Sequence, residues 1–210
     1  MNILFQDKYL VVCEKAPGIP SQADSSQKAS MISLLSEECK SDIFCVHRLD
    51  TPTGGIMVYA KDSKTAGKLT ASLSSESSKK EYICAVHKTG MGSGRMEDLL
   101  WHDKRQNRGY VVDRERKGTK SAILDYETLS ENGEISLMKV TLKTGRTHQI
   151  RIQFSSRKAP LVGDGKYGAR DNCPLALYCF HLCFVHPITK KQFDFVHLPD
   201  SPWFSFELNI

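Results

Sequence analysis

The stretch FCVHRLDTPTGGIMVYAKD, residues 44–62, constrains the fold more than any other part of the sequence. Two apolar runs rich in β-branched and aromatic residues flank a turn-forming insert, which predicts two strands joined by a reversal of the chain. Pro52 fixes its own φ angle and the following Gly-Gly pair permits positive φ, so the insert can form a sharp, rigid bend. The bend would present Asp50 just behind His47 and Arg48. Taken alone, an aspartate in a turn is equally well explained as a capping group.

The rest of the chain is predicted to form short strands with a few helices between them. Residues 29–39 have helical spacing, and a second helix is predicted after Asp62 or Ser63. Residues 19–27 are predicted as a loop, 89–95 as a flexible connector and 101–120 as a hairpin or extended arm. Further strands are predicted at 9–15, 80–88, 122–130, 135–143, 174–187 and 191–199. Because no repeat or long linker divides the chain, we predict one α+β domain over residues 1–210, with a large mixed, mostly antiparallel sheet and flanking helices.

The composition is that of a globular protein without a membrane anchor. Apolar residues make up 40% and charged residues 25% of the 210 positions, and no window approaches about 18 consecutive apolar residues. The N-terminal MNILFQDKYLVV lacks the layout of a signal peptide because Asp7 and Lys8 interrupt its apolar run. A cytoplasmic location is therefore expected.

The seven cysteines fit the same compartment. Their number is odd and no Cys-x-x-Cys pair occurs, which favours free thiols over disulfides. Cys179, His181 and Cys183 would share one face of a strand, but their spacing lacks the usual two-plus-two zinc pattern. Core packing is the favoured interpretation, and no metal site is predicted.

The distribution of charge indicates a polyanionic partner. Residues 101–120 contain seven Lys or Arg against three Asp or Glu, and residues 143–170 contain seven against one. Since the whole chain carries a net charge of +5, the remainder must be acidic. Basic surfaces on a less basic body are typical of nucleic-acid-binding proteins, because cations that displace condensed counterions supply much of the affinity.

A second motif, TGRTHQIR, lies in the more basic of these two windows. It places Arg146, His148, Gln149 and Arg151 within about one and a half helical turns beside a glycine turn. Helix N-termini and basic side chains both favour anions, so a phosphate could bind here. A basic helix facing solvent would not explain the glycine turn or the neighbouring GDGKYG.

Taken together, these motifs resemble those of one enzyme family. HRLDTPTGG resembles the H-R-L-D-x-x-T-S-G motif of the RluA-type pseudouridine synthases. TGRTHQIRIQF followed by PLVGDGKYG is similar to their T-G-R-T-H-Q-I-R-V-H and P-I-x-G-D-x-x-Y-G blocks. KKEYICAV and HLCFVHPIT resemble a strand between those blocks and a closing run. The blocks occur in family order and cover the chain from about Tyr9 to about Phe195, so their combination is specific.

The resemblance implies a fold and a reaction. The fold would be the pseudouridine synthase catalytic domain with a central RNA-binding cleft, here without the S4 RNA-binding domain that many relatives carry. The reaction would be the isomerisation of uridine to pseudouridine in structured RNA, either ribosomal or transfer RNA, and it requires no cofactor and no metal. No obligate protein partner or membrane is implied, and a monomer is the default expectation.

The resemblance also assigns roles to individual residues. Asp50 would be the catalytic carboxylate, acting either as a nucleophile or as a base, and Arg151 would pair with it and favour its ionised form. Tyr82 would pack on the uracil that has been turned out of the RNA. Arg48 would occupy the space that the uridine vacates, a role that suits a flat, stacking guanidinium.

Other matched positions have supporting or RNA-contacting roles. Arg146 would lie near a phosphate, and His148 and Gln149 would contact the substrate or support the loop beside it. His47, Leu49 and Thr53 would shape the loop that carries the catalytic carboxylate. Two departures from the family pattern stand out: Gly54 replaces a serine, and Gln153-Phe154 replaces His-Leu, which predicts an altered nucleic-acid contact.

Two other functions remain open at this point. The chain could be a catalytically inactive RNA-binding protein on the same scaffold, although such a protein need not retain Asp50, Tyr82 and Arg151 together. A hydrolase with Asp50 as nucleophile ranks last, because no partner constellation for activating water is evident.

Overall fold

The computed structural model describes residues 2–23 and 29–199. Within them, strands predominate and α-helices lie between some of them, as the sequence predicts for an α+β protein. This class is confirmed. The elements in chain order are β1 (Asn2–Gln6), β2 (Leu10–Lys15), α1 (Met31–Cys39), β3 (Phe44–Cys45), β4 (Gly54–Ala60), α2 (Ser63–Leu73), β5 (Lys79–Val86), β6 (Ser93–Asp103), β7 (Arg108–Val112), β8 (Lys120–Asn132), β9 (Ile135–Leu142), α3 (Gln149–Ser156), β10 (Leu177–Val185) and β11 (Gln192–Val196).

The chain folds into two compact units. The described part of the first comprises residues up to Lys80 together with Cys179–Pro199, and that of the second comprises Glu81–Tyr178. The single domain predicted over residues 1–210 stays a prediction.

The first unit is built on strands β1, β2, β4 and β10, in that order, with β3 paired to β4 and β11 paired to β10. The described registers are antiparallel, as for β2 and β4, where Val12 lies opposite Val58. Helix α2 begins where the Asp62 carboxylate accepts a hydrogen bond from the Thr65 amide at 2.7 Å. The core combines every second residue of the strands with the buried face of α2: Leu10, Val12, Ile56, Val58, Ala60, Leu69, Leu73, Leu182 and Phe184.

The second unit contains the strands β5, β9, β8, β6 and β7, again in that order. Neighbouring strands pair antiparallel throughout this series: β5 with β9, β9 with β8, β8 with β6, and β6 with β7. Helix α3 contributes Ile152 to a buried cluster with Leu100, Ala122 and Tyr167, which fixes it against β6 and β8.

Two local predictions are corrected by the structure, and one strand was missed. Helix α3 begins only at Gln149, so Arg146 and His148 lie in the preceding loop rather than on the helix. Strand β6 begins at Ser93, inside the predicted connector 89–95, because its pairing with β8 continues to Glu127. Strand β1 was not predicted. Part of the loop predicted at 19–27 lies outside the described residues.

The hairpin predicted within residues 101–120 is confirmed, since β6 and β7 pair from Leu99–Val112 to Asp103–Arg108. Among the helices that the structure describes, none is long and apolar enough to cross a membrane.

Candidate active site

Asp50 lies in a tight turn of the first unit between β3 and β4. The Thr53 amide donates to the Asp50 carbonyl at 2.9 Å and closes the turn. On one side of Asp50, the buried Ser21 hydroxyl donates to the Leu49 carbonyl at 2.7 Å and accepts from the Leu49 amide at 3.1 Å. The backbone around Asp50 is therefore held both from within the turn and from a distant loop. We call the segment 47–53, which contains this turn, the Asp50 turn.

Lys15 holds the other side of the Asp50 turn. Its side chain is fully buried at the end of β2, and its ammonium donates to the carbonyls of Thr51 at 3.1 Å and Thr53 at 2.6 Å. Burial lowers the pKa of Lys15 to about 8, while the charge of Asp50 acts in the opposite direction. Lys15 thus remains protonated at neutral pH and places a positive charge beneath the turn. Sequence reasoning missed Lys15, although a lysine that ends an otherwise apolar strand was the available signal.

His47 anchors the start of the Asp50 turn to the neighbouring strand. Its Nε2 accepts a hydrogen bond from the Val58 amide at 3.1 Å, so a neutral ring carries its proton on Nδ1. Burial and the nearby Lys80 ammonium lower the pKa of His47 to about 3. His47 is therefore neutral at physiological pH and acts as a fixed hydrogen-bond acceptor, in line with its predicted supporting role.

The charge state of His47 predicts a stability effect of acid. Between about pH 6.5 and pH 3 the unfolded chain binds a proton at this histidine and the folded chain does not, so the free energy of unfolding falls as the pH falls. Because the residue keeps some contact with solvent, we expect the wild type to lose about 1–2 kcal/mol more than His47→Gln between pH 7 and pH 4.5. Urea unfolding of both proteins at the two pH values measures this difference, and parallel losses would contradict it.

The glycine pair plays a different part from the one predicted. Both glycines belong to β4, and the turn itself is formed by residues 50–53. Gly55 has a φ of +128°, and a Cβ at this position would collide with the backbone of Cys179 on β10. Gly55 is thus required for the close approach of two strands. Arg48 is exposed, whereas Leu49 and Thr53 are buried.

Arg151 lies on α3 in the second unit and is fixed by a partner that was not predicted. Its Nε donates to Asp164 Oδ2 at 2.7 Å and its Nη2 to Oδ1 at 2.8 Å. The two side chains are only 6% and 1% exposed, so this is a buried bidentate ion pair. The Arg151 guanidinium carbon also lies 5.1 Å from the centre of the Tyr167 ring. A guanidinium has five N–H donors, so the pair with Asp164 orients Arg151 without using all of them.

The loop before α3 is held together by the side chain of Gln149. This side chain is buried, and its Oε1 accepts from the Arg146 amide at 3.0 Å and from the Thr144 hydroxyl at 2.8 Å. The predicted supporting role of Gln149 therefore fits its contacts better than a direct RNA contact. His148 adopts a left-handed conformation with a φ of 55°, and its Nδ1 lies 2.8 Å from the Tyr167 hydroxyl. The Arg146 side chain donates from Nε to the Ser121 carbonyl at 2.8 Å.

Tyr82 occupies the middle of β5 in the second unit. It lies opposite Val140 of β9 and is 7% exposed. Its backbone is thus fixed by the sheet, while a small part of its surface stays accessible.

The predicted effect of Gln153 and Phe154 on nucleic-acid contacts is wrong. Both side chains are fully buried: Gln153 donates to the Asp98 carboxylate at 2.7 Å, and the Phe154 ring packs 5.9 Å from that of Tyr126. This departure from the family pattern changes the interior of the second unit.

Four of the seven cysteines are core residues, namely Cys13, Cys84, Cys179 and Cys183. All seven are free, and Cys179 and Cys183 are buried, as predicted. Burial raises the pKa of Cys13 to about 12, so its thiol is protonated. His181 pairs with Asp194 at 2.7 Å, and no cluster of three or more potential metal ligands occurs among the described residues.

Comparisons with known proteins identify related sequences. The sequence profile described as RNA pseudouridylate synthase matches residues 9–156. An uncharacterized RNA pseudouridine synthase of Mycoplasma genitalium is 29% identical, over 99% of this chain and 69% of its own length. The ribosomal large subunit pseudouridine synthase C of Buchnera aphidicola is 30% identical, over 99% of this chain and 70% of its own length. The tRNA pseudouridine synthase C of Pasteurella multocida is 26% identical, over 100% of this chain and 98% of its own length.

A solved structure shows the same fold. The human protein RNA Pseudouridylate Synthase Domain Containing 4 superposes with a TM-score of 0.77, covering 95% of this chain and 89% of that one at 23% sequence identity. Since the profile matches well over half of the sequence, the chain belongs to the RNA pseudouridylate synthase family. It is an isomerase of that class, which confirms the resemblance seen in its motifs.

Proposed function

We propose that this enzyme converts specific uridines of ribosomal or transfer RNA to pseudouridine, with Asp50 as its catalytic carboxylate. The observation that carries the proposal is the rigid Asp50 turn. Lys15 and Ser21 hold the backbone on both sides of Asp50, and Thr53 closes the turn beneath it. A carboxylate whose backbone is fixed in this way is suited to chemistry that depends on position.

The reaction rearranges one nucleoside without adding or removing atoms. The N1–C1′ bond breaks with its electron pair going to the uracil, the ring turns, and a C5–C1′ bond forms. C5 then loses its proton and N1 gains one. Asp50 serves either as the nucleophile or as the base that removes a sugar proton, and both routes need an ionised carboxylate. No oxidant, reductant or external group enters this balance.

Arg151 and Tyr82 complete the proposed catalytic set. Arg151 favours the ionised form of the catalytic carboxylate, and its buried ion pair to Asp164 keeps its guanidinium oriented. Tyr82, from the middle of β5, packs on the uracil. Arg146 contacts a phosphate, while His148 and Gln149 maintain the loop that carries it.

The proposal is tested by tritium release. Loss of the C5 proton means that RNA transcribed with [5-³H]uridine must give up tritium to water during the reaction. Unmodified ribosomal and transfer RNA transcripts are incubated with the purified protein, and the modified positions are then mapped. Release from either RNA supports the proposal. If both RNAs bind but release no tritium, the chain is instead an RNA-binding protein on this scaffold.

Arg48 is proposed to fill the space left by the turned-out uridine. Removing a base from its stack costs a few kcal/mol, and an exposed guanidinium can offset part of this by stacking on the remaining bases. Arg48→Ala should therefore lower kcat/KM at least about tenfold on a stem-loop substrate. The loss should be much smaller on an unstructured strand of the same sequence.

The matched control for Arg48 is Lys64→Ala, which removes an exposed cation from α2. This variant should act on both substrates like the wild type. Equal losses of Arg48→Ala on the stem-loop and the unstructured strand would remove the base-turning role and leave only a general contact.

A further inference from the structure

The outer face of the β6–β7 hairpin carries two stacked aromatic rings. Trp101 and Tyr110 lie directly opposite each other in the antiparallel register, so their side chains project from the same face. Their ring centres are 6.2 Å apart with an interplanar angle of 29°. Tyr110 is 37% exposed, one of the few large hydrophobic side chains in the described residues that faces solvent to this extent. We call the pair and its flanking cations the hairpin platform.

Arginine side chains lie close to both rings. The Arg116 guanidinium carbon lies 4.2 Å from the centre of the Trp101 ring, and that of Arg108 lies 5.9 Å from the centre of the Tyr110 ring. The same segment of the chain carries further exposed cations, namely Lys104, Arg105, Arg114 and Lys117. Within the described part of the chain, no salt bridge neutralises any of these cations.

The other basic window of the sequence differs in this respect. Lys143 lies 3.4 Å from Asp125, Arg157 pairs with Asp98 at 2.9 Å, and Arg151 pairs with Asp164. Three of the seven cations in residues 143–170 are therefore paired with carboxylates of the protein. The cations of the hairpin platform are available to a partner.

The hairpin is held rigidly from its inner face. The Gly109 amide donates to the Tyr167 hydroxyl at 2.9 Å, and a Cβ on Gly109 would collide with the Ile152 side chain. Leu100 and Val111 pack against Ile152 and Tyr167 on the same face. A preformed surface loses little conformational entropy when it binds a partner.

We propose that the hairpin platform binds a single-stranded part of the RNA, stacking one base on the Trp101–Tyr110 pair and placing phosphates on Arg108 and Arg116. Aromatic rings combined with arginines are the usual means of holding unpaired nucleotides, because every base offers a π face and every linkage a negative charge. An acidic peptide would use the cations and leave the exposed ring unused. The inference rests on the proposed function only in taking RNA as the substrate.

Two variants of the full-length protein test the two parts of this surface. Tyr110→Leu keeps an apolar side chain and removes the stacking face. It should weaken binding of a fluorescent 12-nucleotide oligouridine about 5- to 100-fold. Arg108→Gln/Arg116→Gln should weaken binding and reduce the slope of log K against log salt by roughly 1 to 1.5, since each phosphate contact on a single strand contributes about 0.7.

The control is Lys64→Gln/Lys68→Gln on α2, which removes the same amount of charge from exposed positions. It should bind oligouridine within about twofold of the wild type, with an unchanged salt slope. Trp101 fluorescence in a Trp203→Phe background gives a second measurement, because a base stacked on the pair should quench it in a saturable way. An abasic ribose-phosphate strand of equal length should leave the fluorescence unchanged.

Several results would overturn the inference. The first is that Tyr110→Leu binds oligouridine with wild-type affinity. The second is that the lysine control weakens oligouridine binding as much as the platform variants do. The third is that polyglutamate competes as well as oligouridine at equal charge. The outcome is separable from that of the proposed function. If transcripts release tritium but the platform variants bind normally, only the platform is wrong; if the variants lose binding but no transcript releases tritium, only the catalytic proposal is wrong.

Discussion

Asp50→Asn should abolish tritium release from [5-³H]uridine RNA, with a loss of at least about a thousandfold in kcat. The amide has nearly the same shape as the carboxylate but carries no negative charge, so it can act neither as the nucleophile nor as the base. RNA affinity should stay within about twofold of the wild type, because phosphates are bound by cations elsewhere in the chain. The measurement is single-turnover tritium release with enzyme in excess, accompanied by an RNA titration.

The Asp50→Asn result needs a check on folding because Asp50 has a charged neighbour. Its carboxylate favours the protonated form of the buried Lys15, and the substitution removes that attraction. A modest fall in the free energy of unfolding is therefore expected, and urea unfolding shows whether the variant is folded under assay conditions. Asp42→Asn, an exposed aspartate of the same unit, is the matched control and should keep full activity. Turnover by Asp50→Asn at the control's rate would mean that another group performs the chemistry.

The sequence was sufficient to predict the chain reversal that carries Asp50. It was not sufficient to predict which side chains hold that turn in place. The apolar runs and the Pro-Thr-Gly-Gly insert predict a turn between strands from local preferences alone, and the structure contains it. Lys15 and Ser21 are more than 25 positions away in the chain, and their role depends on where their strand and loop come to lie. A buried lysine is also contrary to the usual preference for exposure, so pattern alone assigns it to the surface.

The same limit applies to the second motif. TGRTHQIR is predicted as a basic, anion-binding helix because its residues are polar and helix N-termini attract anions. In the structure, Gln149 is buried and its amide closes the loop, and Arg151 is buried against Asp164. Asp164 lies 13 positions after Arg151, and tertiary packing decides that these two residues form the ion pair. The sequence could supply the candidate arginine but not its carboxylate.

For the hairpin platform, the sequence predicted the element and its charge but not the pairing of its aromatic rings. The window 101–120 was predicted as a hairpin or arm with an excess of positive charge, and both features are found in the structure. What the sequence does not contain is the register that sets Trp101 opposite Tyr110 and so forms a stacked pair. Register follows from turn length and from which face is buried, and a slip of one residue would have placed the rings on opposite faces.

Asp164→Asn should produce the second large effect, on stability as well as on activity. Asp164→Asn removes the carboxylate charge that binds the buried Arg151 guanidinium at two atoms, and breaking such a pair costs about 3–5 kcal/mol. The free energy of unfolding in urea measures this loss. Asp125→Asn is the matched control, because Asp125 pairs with Arg95 and Lys143 at the surface and is 35% exposed. Its loss should be at most about 1 kcal/mol. Equal losses for the two variants would mean that the interior charge is compensated by other groups.

A double variant separates the structural from the catalytic part of this effect. Arg151→Met/Asp164→Leu replaces both charges by apolar side chains of similar volume, and such replacements of buried ion pairs are often neutral or stabilising. We therefore expect its free energy of unfolding to lie much closer to the wild type than that of Asp164→Asn. Its tritium release should nevertheless stay far below that of the wild type, because the guanidinium proposed to favour the ionised carboxylate is absent. A stable and active double variant would show that Arg151 serves only the fold, whereas a stable and inactive one supports its catalytic role.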